Sequence, residues 1–325
     1  MALKRRTSEN NNPFENKLMD KLKLYEMQGL LVDAEWNPTV GIEAIQSDDI
    51  DSILAKIDDS NFNQHFLEDV LEQVNLNKKN LVGRYVLTHN LNVPLFVILY
   101  GRDRQNQYIF ANFKISLERK NNTTGIGITI DHERTRNEAD FINWWREHKG
   151  TIQTKDTANG AKPRIQRTSI DNILEEYGLE WGGNIDAFHP VTSDQYDPAT
   201  YKVQYIVDFI SVSGNMEKNA DPHIWYDDGN PKHGPRYEGL KAQSTIANKL
   251  NVPHIMLYID KNPKSNMERL GITSIKQISP KEIELTHDPK TGQQIIPGNN
   301  IISGLDNIEK EINRIISISN PPTVI

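Results

Sequence analysis

Apolar positions change their period more than once along this chain. From Asn16 to about Asn75, Leu18, Leu22, Leu24 and Met27, and later Phe66, Val70 and Leu71, recur at helix-like intervals between acidic caps. That spacing predicts two or three helices. After Asn80 the pattern becomes that of extended chain. Leu81–Leu87, Val93–Tyr100, Tyr108–Leu117 and Thr123–Ile130 are expected strands, punctuated by Gly101-Arg102-Asp103 and Asn121-Asn122. A helical period returns over Asn137–His148, where Phe141, Trp144 and Trp145 share a heavy apolar face.

Between Trp145 and Thr168 there is almost nothing to bury. Arg146, Lys149, Lys155, Lys162, Arg164 and Arg167 face only Glu147 and Asp156. Such a stretch is either a solvated linker or a strap that contacts phosphates. Beyond it, Ser169 caps a helix over Asp171–Tyr177, and Gly183–Val191 and Tyr201–Ser213 are strands around the turn Thr192–Thr200. A Gly/Pro loop leads to a helix over Tyr237–Leu250, followed by strands over Val252–Asp260 and Ser274–Ile278 and a helix over Leu305–Ile316. The order α-β-β-α-β suits an open mixed sheet with helices on its faces, so the expected class is α/β, α+β overall. The expected layout is an N-terminal α+β domain over 1–150, a basic linker over 151–168 and an α/β domain over 169–325. Leu91-Asn92-Val93-Pro94 and Leu250-Asn251-Val252-Pro253 both lead into strands carrying Leu-Tyr. Their flanks match no further, and the similarity reads as coincidence.

Composition narrows the function classes. With 325 residues, 37% of them apolar, a sizeable core can form, while a mean hydropathy of -0.62 excludes an integral membrane protein. The start MALKRRTSENNN lacks the apolar stretch of a secretion signal, and a cytoplasmic location is expected. Without cysteine there is no thiolate chemistry, so carboxylates, His, Lys or hydroxyls must carry any reaction. The net charge of -7 argues against a protein coated in positive charge but leaves room for a local basic groove.

Phosphate-loop, dinucleotide, zinc-protease and nucleophile-elbow motifs are absent from the sequence, and the nine histidines lack metal-ligand spacing, with His189 and His233 the better placed. What remains is a pair of acidic residues inside apolar strands. Asp186 lies in Gly183-Asn184-Ile185-Asp186-Ala187-Phe188, and Asp208 in Ile206-Val207-Asp208-Phe209-Ile210. A carboxylate among Ile, Val and Phe is costly unless paired or metal-bound. Two of them on adjacent strands could meet and suit Mg²⁺, or could instead cap neighbouring loops on a polar face.

A helix with Glu175 and Glu176, a Gly-led strand with an Asp, a second strand with an acidic residue, then a helix and an apolar Val-Pro strand together resemble the PD-(D/E)xK nuclease core of type II restriction endonucleases. The resemblance covers about Ser169–Asp260. It implies that Asp186 and Asp208 bind Mg²⁺ and that water hydrolyses a phosphodiester in double-stranded DNA; Glu176 either supports the metal through water or is an ordinary solvated helix residue. A homodimer would match a palindromic site. The family places a lysine two positions after the second acid, and Ile210 stands there. Among substitutes, Lys202 is too far along the strand and Lys218 sits in a loop. Lys241 lies with Glu238 on one flank of the helix Tyr237–Leu250 and is the best candidate, although the two would also make an ordinary surface ion pair. Lys155, Lys162, Arg164 and Arg167 are the expected DNA contacts. The alternative is a non-catalytic DNA-binding module on a nuclease-like fold.

Overall fold

The computed structural model describes residues 2–5, 13–57, 64–119, 126–149, 169–179, 181–194, 197–226, 237–260 and 268–325. In chain order the elements are β1 (Leu3–Arg5), α1 (Pro13–Leu22), β2 (Tyr25–Val32), β3 (Pro38–Ser47), α2 (Ile50–Ile57), α3 (Gln64–Glu72) and α4 (Lys78–Asn90). They continue with β4 (Leu95–Arg102), β5 (Tyr108–Arg119), β6 (Ile126–Asn137), α5 (Glu138–His148), α6 (Ser169–Glu176), β7 (Gly183–Val191) and β8 (Lys202–Val212). The rest are α7 (Met216–Asn219), α8 (Pro222–Tyr226), α9 (Tyr237–Leu250), β9 (His254–Asp260), β10 (Arg269–Ile278), β11 (Ile283–Leu285), β12 (Ile301–Ser303), α10 (Leu305–Ile318) and β13 (Thr323–Val324). The class is α/β. No helix among the described residues is long and apolar enough to cross a membrane.

The chain forms two compact units that interleave in sequence: Met1–Glu9, Met27–Asn184 and Thr192–Tyr201 make the first, and Asn10–Glu26, Ile185–Val191 and Lys202–Ile325 the second. In the first unit the strand order is β2-β3-β4-β5-β6, with β1 antiparallel to β3. β3 and β4 run parallel, joined through α2, α3 and α4, and the other neighbours are antiparallel. Alternation along β3 sends Val40, Ile42 and Ala44 to the face covered by α5 and α6, where Phe141, Trp145, Ile170 and Leu174 close the core. Glu43 points the other way, toward α4.

The second unit has the order β11-β10-β9-β8-β7, with β12 and β13 also on β10. β8 and β9 are its parallel pair, joined through α7, α8 and α9. Ala187, Val207, Phe209, Ile255 and Leu257 face α1 and α10. Ile210, Met256 and Tyr258 face the other way and meet Leu240 of α9.

Four elements differ from the sequence expectation. Tyr25–Val32 and Pro38–Ser47 are strands inside the stretch expected to be helical. Met27 to Val32 is buried at every position, so the strand has no polar side to display a period of two. Conversely, Leu81–Leu87 lies within α4 rather than in a strand. Its start signal is Asn77, whose side chain accepts from the Asn80 N–H, and its buried side includes the charged Arg84, which breaks the apolar period. β10 also starts earlier than the short strand expected over Ser274–Ile278. The basic segment 151–168 lies outside the described residues.

Candidate functional site

The β7–β8 ladder pairs Ala187 with Val207 and Phe188 with Ile206. One step further along the same register, Asp186 stands opposite Asp208, on the sheet face that carries α9. The two carboxyl groups are close enough for the charge of Asp208 to act strongly on Asp186. Asp208 is buried, and α9 addresses it directly: Gln243 Nε2 donates to its Oδ1 at 2.7 Å. A second contact comes from β9, where His254 Nε2 lies 3.5 Å from Asp208 Oδ2 while Nδ1 is hydrogen-bonded to Ser244 Oγ at 3.0 Å. Ser244 and His254 are both fully buried. Asp186 Oδ2 accepts the Phe209 N–H at 3.1 Å.

The electrostatics of this cluster are one-sided. Burial and then the negative charge of Asp208 push the Asp186 carboxyl well above the usual carboxylate range; the Phe209 N–H opposes this and Glu15 adds to it. Glu15, in the first turn of α1, is itself pushed up to about 7 by burial and by Glu26. Of the eight buried side-chain atoms without a hydrogen-bond partner among the described residues, Gln243 Oε1 and His254 Nε2 lie beside Asp208 and Glu15 Oε2 is on α1, while Gln28 Nε2 is next to Glu43 in the first unit. A buried acceptor without a donor costs about 1–3 kcal/mol, so such atoms mark a place where something else is needed.

No group of three or more His, Asp or Glu among the described residues is arranged as a finished metal site. The donor set nevertheless fits a hard cation. It offers carboxylate oxygens from Asp186 and Asp208 and the unpartnered amide oxygen of Gln243, and a Mg²⁺ ion would relieve the repulsion between the two acids. Sulfur is absent from the cluster, and its one imidazole faces a carboxylate.

The structure therefore brings Asp186 and Asp208 together. Glu176 lies at the end of α6 in the first unit, whereas the pair belongs to the second. Glu238 and Lys241 are on α9; the Glu238 side chain lies outside what is described, and Lys241 is half-buried. Two residues separate Lys241 from Gln243, about 200° around a helix, so they occupy different flanks. Ile210 is buried among Val212, Leu240, Met256 and Tyr258, which closes the lysine position of the motif to water. Lys155, Lys162, Arg164, Arg167 and His233 lie outside the described residues. His189 stacks on Tyr205 and bonds the Leu22 carbonyl through Nδ1 at 2.8 Å.

Glu15, Gln243, Ser244 and His254 were not evident from sequence. An acid in a helix's first turn reads as an ordinary partner of the helix dipole. The available signal was the polar pair Gln243-Ser244 between Leu240 and Ala247 on the buried side of α9, since polar groups there need a partner. Compared with protein-family models, with curated proteins and with solved structures, the chain matches none.

Proposed function

We propose that this protein is a Mg²⁺-dependent DNA endonuclease of the restriction type, built on a plan similar to the PD-(D/E)xK nucleases. The observation that carries the reading is the pair Asp186 and Asp208, two carboxyl groups on adjacent strands, the second of them buried, whose proximity together with burial pushes Asp186 well above the usual carboxylate range. The hairpin, helix and parallel strand formed by β7–β8, α9 and β9 support it, while α6, the helix that the resemblance counts before the hairpin, packs in the first unit.

Asp186 and Asp208 would hold Mg²⁺, with the Gln243 amide oxygen as a further donor to the ion or to water. When bound, the ion supplies charge for the phosphate oxygens and acidifies water. Gln243 fixes Asp208 through its N–H, and the apolar wall of Ile210, Met256 and Tyr258 keeps bulk water from behind the pair. Water adds to phosphorus as the bond to the 3′-oxygen breaks; that oxygen departs with the electron pair and takes up a proton. The basic segment with Lys155, Lys162, Arg164 and Arg167 serves as the phosphate contact, and a dimer would place two centres on a palindromic site.

Incubation with methylated and unmethylated plasmid in Mg²⁺ tests the reading. Wild type should give discrete fragments, and Asp186→Ala or Asp208→Ala should leave the plasmid intact while still retarding it on a gel. Full cleavage by either variant removes the assignment. The apolar setting of Ile210 favours a second reading, a non-catalytic DNA-binding module, for which wild type would retard the plasmid and never cut it.

A further inference from the structure

The Leu-Asn-Val-Pro segment that occurs twice holds the same place in both units. Asn92 and Asn251 both adopt a left-handed backbone, φ 57° and 58°, at the end of α4 and α9. The next N–H reaches back to the helix in each case, Val93 to the Thr88 carbonyl at 2.9 Å and Val252 to the Ala247 carbonyl at 3.0 Å. The following proline carbonyl then accepts from the neighbouring parallel strand, Pro94 from Gly41 N–H at 2.9 Å and Pro253 from Ile206 N–H at 3.0 Å. These contacts fix a correspondence between β3-α4-β4 and β8-α9-β9 that chance similarity of four residues would not produce.

The correspondence can be followed to the candidate site. Two residues after Gly41 comes Glu43; two residues after Ile206 comes Asp208. Eight residues before Asn92 is Arg84, and eight before Asn251 is Gln243. Arg84 Nε donates to Glu43 Oε1 at 2.7 Å, as Gln243 Nε2 donates to Asp208 Oδ1 at 2.7 Å. In the antiparallel partner strand, the β2–β3 register sets Gln28 opposite Glu43, as Asp186 stands opposite Asp208. Gln28 Oε1 accepts the Ala44 N–H at 2.8 Å, and Asp186 Oδ2 accepts the Phe209 N–H at 3.1 Å. Even the covering helices agree: each unit packs one helix that precedes a hairpin and one that follows the strands, α6 with α5 and α1 with α10.

We propose that the chain contains two copies of one α/β module, and that Gln28, Glu43 and Arg84 of the first unit are a closed, non-catalytic copy of the site formed by Asp186, Asp208 and Gln243. In the closed copy an amide replaces one acid, and guanidinium groups fill the place a cation would take. Arg5 completes it, with Nη2 2.9 Å from Glu43 Oε2. Glu43 is thereby neutralised by the chain itself. Each chain then carries one catalytic centre rather than two, and a lone chain on duplex DNA nicks one strand per encounter. The inference rests on the nuclease reading only for the chemistry; the correspondence between the units rests on the hydrogen bonds above.

Calorimetric titration of the full-length chain with Mn²⁺, alongside thermal melting, separates the two. Wild type should show one class of binding that Asp208→Asn removes. Arg5→Gln and Arg84→Gln combined with Gln28→Asp remove both internal cations and restore the missing acid, and should add a second binding class, doubling the stoichiometry, which Asp208→Asn does not abolish. If that triple variant melts more than about 10 °C early, Arg5→Gln with Arg84→Gln supplies the same comparison. A folded variant that binds no more Mn²⁺ than wild type overturns the closed-copy assignment while leaving the nuclease reading intact. Wild type that binds no Mn²⁺ and cuts no plasmid, with binding gained once both arginines are replaced, would sink the nuclease reading but support the latent site.

Discussion

Glu43 and Asp208 are buried to a similar degree in corresponding strands, yet their surroundings have opposite character. Glu43 is fully buried; burial works to raise its pKa, but Arg5 and Arg84, with the Gln28 N–H, more than offset this and hold it below the usual carboxylate range. Asp208 has an amide and a poorly aligned imidazole as partners, and its nearest acid, Asp186, is driven upward. A buried acid whose charge is met from within the chain is structural. One that lies beside another acid, as Asp208 does beside Asp186, is where the proposed cation would bind.

This contrast can be broken or sharpened by substitution. The largest expected effect is catalytic: Asp186→Asn or Asp208→Asn should lower cleavage at least about a thousandfold, roughly 4 kcal/mol in barrier, while the melting temperature stays level or rises because like charges are relieved. A fall of more than a few degrees in melting temperature would show the pair to be structural. In the first unit the sign reverses. Arg84→Ala leaves Glu43 buried with half its compensation and should destabilise the protein by about 3–5 kcal/mol in urea unfolding; a loss under about 1 kcal/mol would mean Glu43 does not depend on it.

A smaller effect separates the two flanks of α9. Gln243→Met, similar in shape, should lower kcat about a hundredfold with DNA affinity changed less than about threefold, whereas Lys241→Met, on the other flank, should leave kcat within about threefold. The reverse ranking would return the missing lysine's role to Lys241.

The smallest effect is a pH dependence. Glu15 titrates at about 7 when folded and near 4.5 when unfolded, so the folded state binds the extra proton and stability falls as pH rises from about 4.5 to about 7. Glu15→Gln should therefore raise the melting temperature at pH 8 and leave it unchanged at pH 4. Glu43 behaves oppositely: its contribution is present above about 4.5 and is lost as pH falls through its lower folded value. An equal gain for Glu15→Gln at both pH values would show that burial of its charge is not the cause.

The second-unit elements were legible because their patterns are local. The Gly-led strand at Gly183, the apolar run around Asp208 and the helix Tyr237–Leu250 each carry their own period and boundary signals. The first unit was harder. Arg84 inside α4 makes sense only with Glu43, 41 residues away, and the all-buried β2 has no alternation to show. For the same reason the two acids could be named from sequence whereas Glu15, Gln243 and His254 could not: an acid in an apolar strand is conspicuous, but a glutamine on a helix becomes informative only once its neighbour across space is known. The repeated Leu-Asn-Val-Pro segment is visible in sequence, but what its two occurrences share is a hydrogen-bonding scheme with few identical residues around it, which only the structure displays.

Melting of wild type, Asp186→Asn and Glu43→Gln with and without Mg²⁺ at pH 8 is the most direct test of the proposal that the second-unit pair takes up a divalent cation and the first-unit acid does not. At ten times the dissociation constant, binding to the folded state stabilises by about 1.4 kcal/mol, a rise of roughly 3–6 °C for units of this size. Wild type and Glu43→Gln should show that rise, each relative to its own metal-free value, and Asp186→Asn should show none. A rise retained in Asp186→Asn, or lost in a folded Glu43→Gln, would place the cation at the wrong acid and contradict the distinction between the two sites.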